Sequence, residues 1–77
     1  VADVEYNIDQ TDVNTVTLKL QHTNGQAVYT DGATVVSSNA ADANGMNQFP
    51  LYGQYTCLYA DVSNTSTVTV TVTGWAK

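Results

Sequence analysis

The chain contains one histidine, His22, and one cysteine, Cys57. Together they are the minimum for a thiolate–imidazole pair, in which the ring takes the thiol proton. Their settings point elsewhere. His22 closes an alternating segment on the same parity as Leu20, or opens the turn that follows. Cys57 stands between Thr56 and Leu58 in an apolar run, where a thiol packs as a small hydrophobe. The plain reading is a turn histidine and a core cysteine. Asp9 and Asp12 form a carboxylate pair that could do general acid–base work. Acids that flank a turn more commonly shape it, because their oxygens bond to nearby backbone N–H groups. No catalytic set emerges, and the expectation is a protein that is not an enzyme.

Metal and phosphate chemistry meet similar limits. Zinc takes three or four protein ligands, drawn mainly from His and Cys, and one of each falls short. The run Asp42-Ala43-Asn44-Gly45 invites comparison with a calcium loop. Placing Gly45 at the sixth loop position puts Ala40 at the first and Leu51 at the twelfth, and neither side chain has the oxygen those positions require. A polar loop is the plain reading, with a calcium site of another loop type left open. No Gly-rich loop leads into a helix, as a phosphate cradle requires. Asn64-Thr65-Ser66 fits a glycosylation sequon and reads as turn chemistry. No metal and no cofactor is expected.

Charge narrows the partners. Lys19 and Lys77 face seven acidic residues, for a formal net charge of −5. Nucleic-acid binding rests on Lys and Arg displacing counterions from phosphates, and docking on anionic lipid needs the same charges. Neither partner is expected. No apolar run approaches the ~20 residues of a membrane helix, and no signal-peptide pattern opens the sequence. Only 12% of the residues are charged, about half the common share.

These residues must be held by strands. Twelve Thr, eleven Val and five Tyr favour a pleated, half-buried surface, while one Glu and two Lys leave little to build an exposed helix. Alternation with a period of two is plain in three places. In residues 67–75, Val68, Val70 and Val72 point one way and Thr67, Thr69, Thr71 and Thr73 the other. In residues 15–22, Val16, Leu18 and Leu20 form a core face and Lys19 marks the solvent side. Residues 4–8 alternate as well. Residues 51–60 are apolar on both faces, with Leu51, Tyr55, Cys57 and Tyr59 opposite Tyr52, Leu58 and Ala60; such a strand is expected to be central or covered. Gly53 marks a bulge or a close backbone approach.

Asn24-Gly25 and Asp31-Gly32 read as two hairpin turns, with a short strand at 26–30 between them and another at 33–37 after them. Residues 38–50 read as the one long irregular segment, and a loop of that length in so small a domain serves as a projection or a partner-contact arm. The expectation is therefore one all-β domain spanning residues 1–77. It is a small antiparallel β-sandwich or barrel of about six short strands, jelly-roll or Ig-like, with no significant helix.

Two surfaces invite contact. Tyr52, Tyr55 and Tyr59 lie close in sequence, with Trp75, Tyr29 and Phe49 as possible neighbours. They read first as core with hydroxyls at a polar edge; exposed, they would stack on sugar rings or anchor a protein interface. The Thr face of residues 67–73 is uncharged, and an edge strand of that kind templates pairing with other chains unless it is already paired inside its sheet.

Two stretches carry a resemblance. One is Leu18-Lys19-Leu20-Gln21-His22-Thr23-Asn24-Gly25 with Tyr29-Thr30-Asp31-Gly32. The other is Leu51-Tyr52-Gly53-Gln54-Tyr55 with Asp61-Val62-Ser63-Asn64-Thr65-Ser66-Thr67-Val68-Thr69-Val70. Together they resemble small β-sandwich virion proteins of tailed bacteriophages, including capsid decoration (cement) proteins. The same pattern looks like part of discoidin-type, galactose-binding-like sandwiches. It departs from these in lacking their longer chain and projecting loops, and in having no obvious cation to fork onto sugar hydroxyls.

The phage resemblance implies a structural role. Such a protein binds the major capsid protein or another virion protein on the head surface, commonly as a trimer. It is soluble in the host cytoplasm before assembly. Candidate interface residues are Val1, Val4 and Tyr6 of an N-terminal arm, which could add to a neighbour's sheet; Asn44, Met46 and Phe49 of the loop at 39–50; and Thr69 and Thr71 of the Thr face. On this reading Phe49→Asp weakens assembly and leaves the fold intact. The alternative is a carbohydrate-binding, lectin-like module with Tyr52, Tyr55, Tyr59 or Trp75 as its platform.

Overall fold

The computed structural model describes residues 1–11, 14–63 and 68–76. They form six strands, β1 (Ala2–Gln10), β2 (Val16–Thr23), β3 (Thr30–Ser38), β4 (Asp42–Phe49), β5 (Tyr55–Val62) and β6 (Val68–Ala76), with no helix among them. The strands make two three-stranded antiparallel sheets, a first in the order β4-β1-β6 and a second in the order β3-β2-β5. The all-β class, the count of six and the lack of helix among the described residues agree with the expectation, although the six strands are not all the expected ones.

The central strand of each sheet supplies the core. On β1, Ala2, Val4 and Ile8 are buried; on β2, Val16, Leu18 and Leu20 are. Leu20 packs with Ala2, Val4 and Phe49 in one cluster, and Val16 and Leu18 pack with Ile8 in another, so the sheets meet through these side chains. The flanking strands close the layer with Val35, Leu58 and Val72. On β6, Val68, Val70 and Val72 turn inward and Thr69, Thr71 and Thr73 outward, as the period of two requires.

Several expectations give way. Residues 38–50 are not a loop, because β4 pairs with β1 without interruption from Ala2↔Phe49 to Asp9↔Asp42. Its inward positions are Ala43, Gly45, Asn47 and Phe49, and only the last is a large hydrophobe, so no apolar period is visible in the sequence. Gly45 is small for a reason: a Cβ there would stand 3.0 Å from the Tyr6 hydroxyl oxygen. Residues 26–29 form no strand, and the link between β2 and β3 covers residues 24–29. Gly25, at φ +110°, serves that link as expected. Asp31-Gly32 is no turn but part of β3. Two extra residues on β3 shift its register on either side of Lys19.

The N-terminal arm is also corrected. β1 is hydrogen-bonded on both flanks, to β4 and to β6, over almost its whole length. It has no open edge to donate to a neighbour. Nor is β5 central: it lies at the edge of the second sheet, and its outward side carries Tyr55, Cys57 and Tyr59 uncovered by any other described element.

The connections are pinned by one polar side chain. Gln10 and Asn14 are both buried. The Gln10 side-chain amide donates to the Asn14 carbonyl at 3.1 Å and to the Ala40 carbonyl at 2.9 Å. Its carbonyl oxygen accepts from the Asn14 backbone N–H at 3.2 Å and from the Asn14 side chain at 3.1 Å. The β1–β2 and β3–β4 links are thereby tied together.

Candidate interaction surface

Pleating sorts the sequence-predicted site residues into two groups. Residues paired across an antiparallel ladder share a face. From the register, the outward face of the first sheet carries Gln48, Met46, Asn44 and Asp42 on β4, Asp3, Glu5, Asn7 and Asp9 on β1, and Trp75, Thr73, Thr71 and Thr69 on β6. Four candidates, Asn44, Met46, Thr69 and Thr71, therefore come together on one surface. Val4 and Phe49 face the other way. Phe49 is 8% exposed and sits in the core cluster with Val4, which makes Phe49→Asp a lesion of the fold and not of an interface. Tyr6 is half-buried against the core and Val1 is exposed at the end of the sheet.

Glu5, Asn7, Asn44, Met46, Thr71 and Thr73 line a concavity of about 510 Å³ on this face. Met46 is 67% exposed and Trp75 is 71% exposed. They lie on opposite edge strands, one row apart along the sheet, with β1 between them. Large apolar side chains left open on a flat sheet are informative, and Met and Trp are types enriched in interfaces. Asp3, Glu5, Asp9 and Asp42 make the face acidic, so a partner surface that matches it is neutral or basic. Glu5 and Trp75 complete this surface; Glu5 was no candidate, and Trp75 was one only among the aromatic residues, not with this group. The signal for Trp75 was its parity with Thr69, Thr71 and Thr73.

Apart from Phe49, the grouped aromatic residues disperse instead of forming a core. Tyr55 and Tyr59 project from the outward face of the second sheet, where Tyr55 pairs with Thr23 and Tyr59 with Lys19 of β2, with Gln21 and Cys57 between them. Lys19 Nζ lies 5.1 Å from the centre of the Tyr59 ring. It also donates to Asp31 Oδ2 at 2.9 Å, while Gln21 Nε2 donates to Asp31 Oδ1 at 2.8 Å. The Gln21 amide first, and the Lys19 ammonium second, hold the Asp31 carboxyl below its usual range; the hydrogen bond to Asp31 raises Lys19 in turn. Cys57 is half-buried on the same face, its thiol 3.7 Å from Gln21 Oε1, and is not a core residue. Trp75 belongs to the opposite sheet and does not share this platform.

His22 and Cys57 are not a catalytic pair. The His22 side chain follows Leu20 to the inner side of β2, whereas Cys57 points outward. His22 Nδ1 is hydrogen-bonded to Thr56 Oγ1 at 3.0 Å, and the ring meets Tyr52 edge-on at 5.4 Å between centroids. These two rings, with Val28 and Gly53, line a second cleft of about 340 Å³ at the end of the sheet. Gly53 makes the close approach expected of it, since a Cβ there would stand 2.7 Å from the Thr23 carbonyl oxygen. Asp42 to Gly45 lie within β4, not in a loop. Asp12 and the sequon at Asn64 lie outside the described residues.

Compared with known proteins, the chain matches no family model, no curated protein and no solved structure.

Proposed function

We propose that this is a non-catalytic structural protein that works by association, and that it is a decoration (cement) protein stabilising a phage head by binding the major capsid protein. The outward face of the first sheet is the seat of binding. One observation carries the reading: Met46 and Trp75 stand exposed on opposite edge strands of a single outward face. Such anchors give affinity when a partner excludes water from them. The phage assignment rests on the residues that resemble decoration proteins.

The test is co-sedimentation with virus particles purified from the source that encodes the chain. The protein travels with the particles, and Trp75→Ala weakens binding by about tenfold or more, as hot-spot truncations do. Absence from the particles refutes the assignment.

A second reading is favoured by Tyr55 and Tyr59. Four residues apart on one face, the two tyrosines are rooted roughly 13 Å from each other along the strand, with Lys19 and Gln21 as hydrogen-bonding neighbours, which suits an extended glycan. The sequence argument against a lectin, that no cation was placed to meet sugar hydroxyls, loses force because Lys19 is beside Tyr59. Soluble oligosaccharides would shift the Tyr55 and Tyr59 resonances and leave Trp75 fluorescence unchanged. A panel without effect on either ring removes this reading.

A further inference from the structure

Each sheet has two edges, and the four edge strands are not alike. β3 carries Asp31 and two extra residues that break its register; β4 carries Asp42; β5 carries Asp61. β6 carries no charge and no proline, and it runs against β1 without a register shift from Ala2↔Ala76 to Gln10↔Val68. Charges, prolines and bulges are the devices that stop an exposed strand from pairing with another chain. Among the described strands, β6 alone lacks all three. Its one uncovered side presents a row of backbone N–H and C=O groups along nine residues.

We propose that the β6 edge pairs with β6 of a second copy of this chain, antiparallel across a two-fold axis, joining two first sheets into one of six strands. Charge selects the second copy at this edge. With a net charge of −5 on each molecule, approach through β3, β4 or β5 brings an edge that carries an aspartate toward an acidic neighbour, whereas approach through β6 opposes only Val, Thr, Gly, Trp and Ala. The pattern is also self-complementary. With the axis at Val72, Val70 falls opposite Gly74, Thr71 opposite Thr73, and Thr69 opposite Trp75. Every Val then stays on the core side and every Thr on the outer side. An isologous seam of this kind closes at two copies. The proposal does not depend on the capsid reading. It uses the edge of the first sheet, whereas that reading uses its face.

The experiment is sedimentation of the full chain from micromolar to millimolar concentration, with amide hydrogen exchange at both ends of the range. A two-strand seam is small beside interfaces of about 1,200 Å² or more, so association develops toward the upper end. The expected result is a shift from the single-chain mass to twice that mass, with added protection confined to alternate β6 amides. Thr71→Lys and Thr73→Lys place cations opposite one another across the axis and return the protein to monomer. Met46→Lys, on the far edge of the face, leaves the dimer intact while weakening capsid binding. A monomer at millimolar concentration overturns the proposal and leaves the edge to a strand of another protein. So does a trimer, or a dimer whose β6 amides gain no protection.

Discussion

Gly32 lies directly beneath the imidazole of His22: a Cβ at Gly32 would stand 2.5 Å from Nε2 and 2.6 Å from Cδ2 of the ring. The glycine therefore supplies space for a buried ring, not a turn. Nε2 has no hydrogen-bond partner, so the ring is held by packing and by Thr56 at Nδ1. Gly32→Ala should cost about 1–3 kcal/mol, the range for an overpacked site. The same change in a His22→Ala background should cost much less. Urea denaturation of the four proteins measures the difference, and equal losses in both backgrounds would refute the contact.

Gln10 makes four hydrogen bonds in a buried setting. Gln10→Leu keeps the bulk and strands the amide of Asn14 and the carbonyl of Ala40 without partners. A loss of about 1–3 kcal/mol is expected, with faster hydrogen exchange at Asn14. A loss under about 0.5 kcal/mol would mean that water replaces the clamp without cost.

Phe49→Ala should destabilise the fold by about 3–5 kcal/mol, the usual range for a buried Phe, whatever the assembly state. Asp9 and Asp42 face each other across β1 and β4 on the exposed side. Like charges so placed repel, and Asp42→Asn should stabilise the protein by roughly 0.2–1 kcal/mol at low salt, with the gain shrinking as salt is added. Thermal unfolding of both variants in 10 mM and 500 mM salt checks the pair of predictions (roughly 30 Å and a few Å of screening length respectively).

Asp31 gives a prediction in pH. Its folded-state pKa is lowered, so its contribution to stability is complete above the ordinary value of 3.8 and disappears as pH falls through the lower, folded value. Lys19 is raised above 10.5, so its contribution is complete below 10.5 and disappears as pH rises through the higher value. Between these limits the pair is insensitive to pH. A carboxyl titration followed by NMR should show Asp31 returning upward in both Gln21→Leu and Lys19→Met, since each removes a donor to the carboxylate. An unchanged Asp31 in both variants would contradict the geometry.

The parts of the fold legible in the sequence were those where inward and outward residues differ in chemistry. β2 and β6 alternate aliphatic with polar residues, and both were found within about a residue of their ends. β4 was hidden because Ala43, Gly45 and Asn47 fill its inward positions and its existence depends on β1 beside it. Strand formation there follows tertiary pairing more than local preference. Asp31-Gly32 misled for a related reason. Its glycine answers to a ring ten residues away in the chain, and its aspartate to Gln21 and Lys19 on the neighbouring strand. Of the candidate surface, Asn44, Met46, Thr69 and Thr71 were identified from two separate stretches. That they share a face follows only from the position of β1 between them, which no local pattern carries.

The placement of β1 has a consequence for how the chain reaches this state. Its two neighbours, β4 and β6, come from much later in the chain, and Ile8 must find both Ala43 and Val70. Only β2 and β3 are sequential partners within a sheet. Contacts so distant along the backbone must meet the entropy of closing large loops before they return any stabilisation, and topologies of this kind reach the native state in milliseconds to seconds, not microseconds. Of the six strands, β1 is made first yet enclosed late: Val4 and Ile8 can meet β2 early, but both hydrogen-bonding flanks of β1 stay open to water until β4 and β6 have followed.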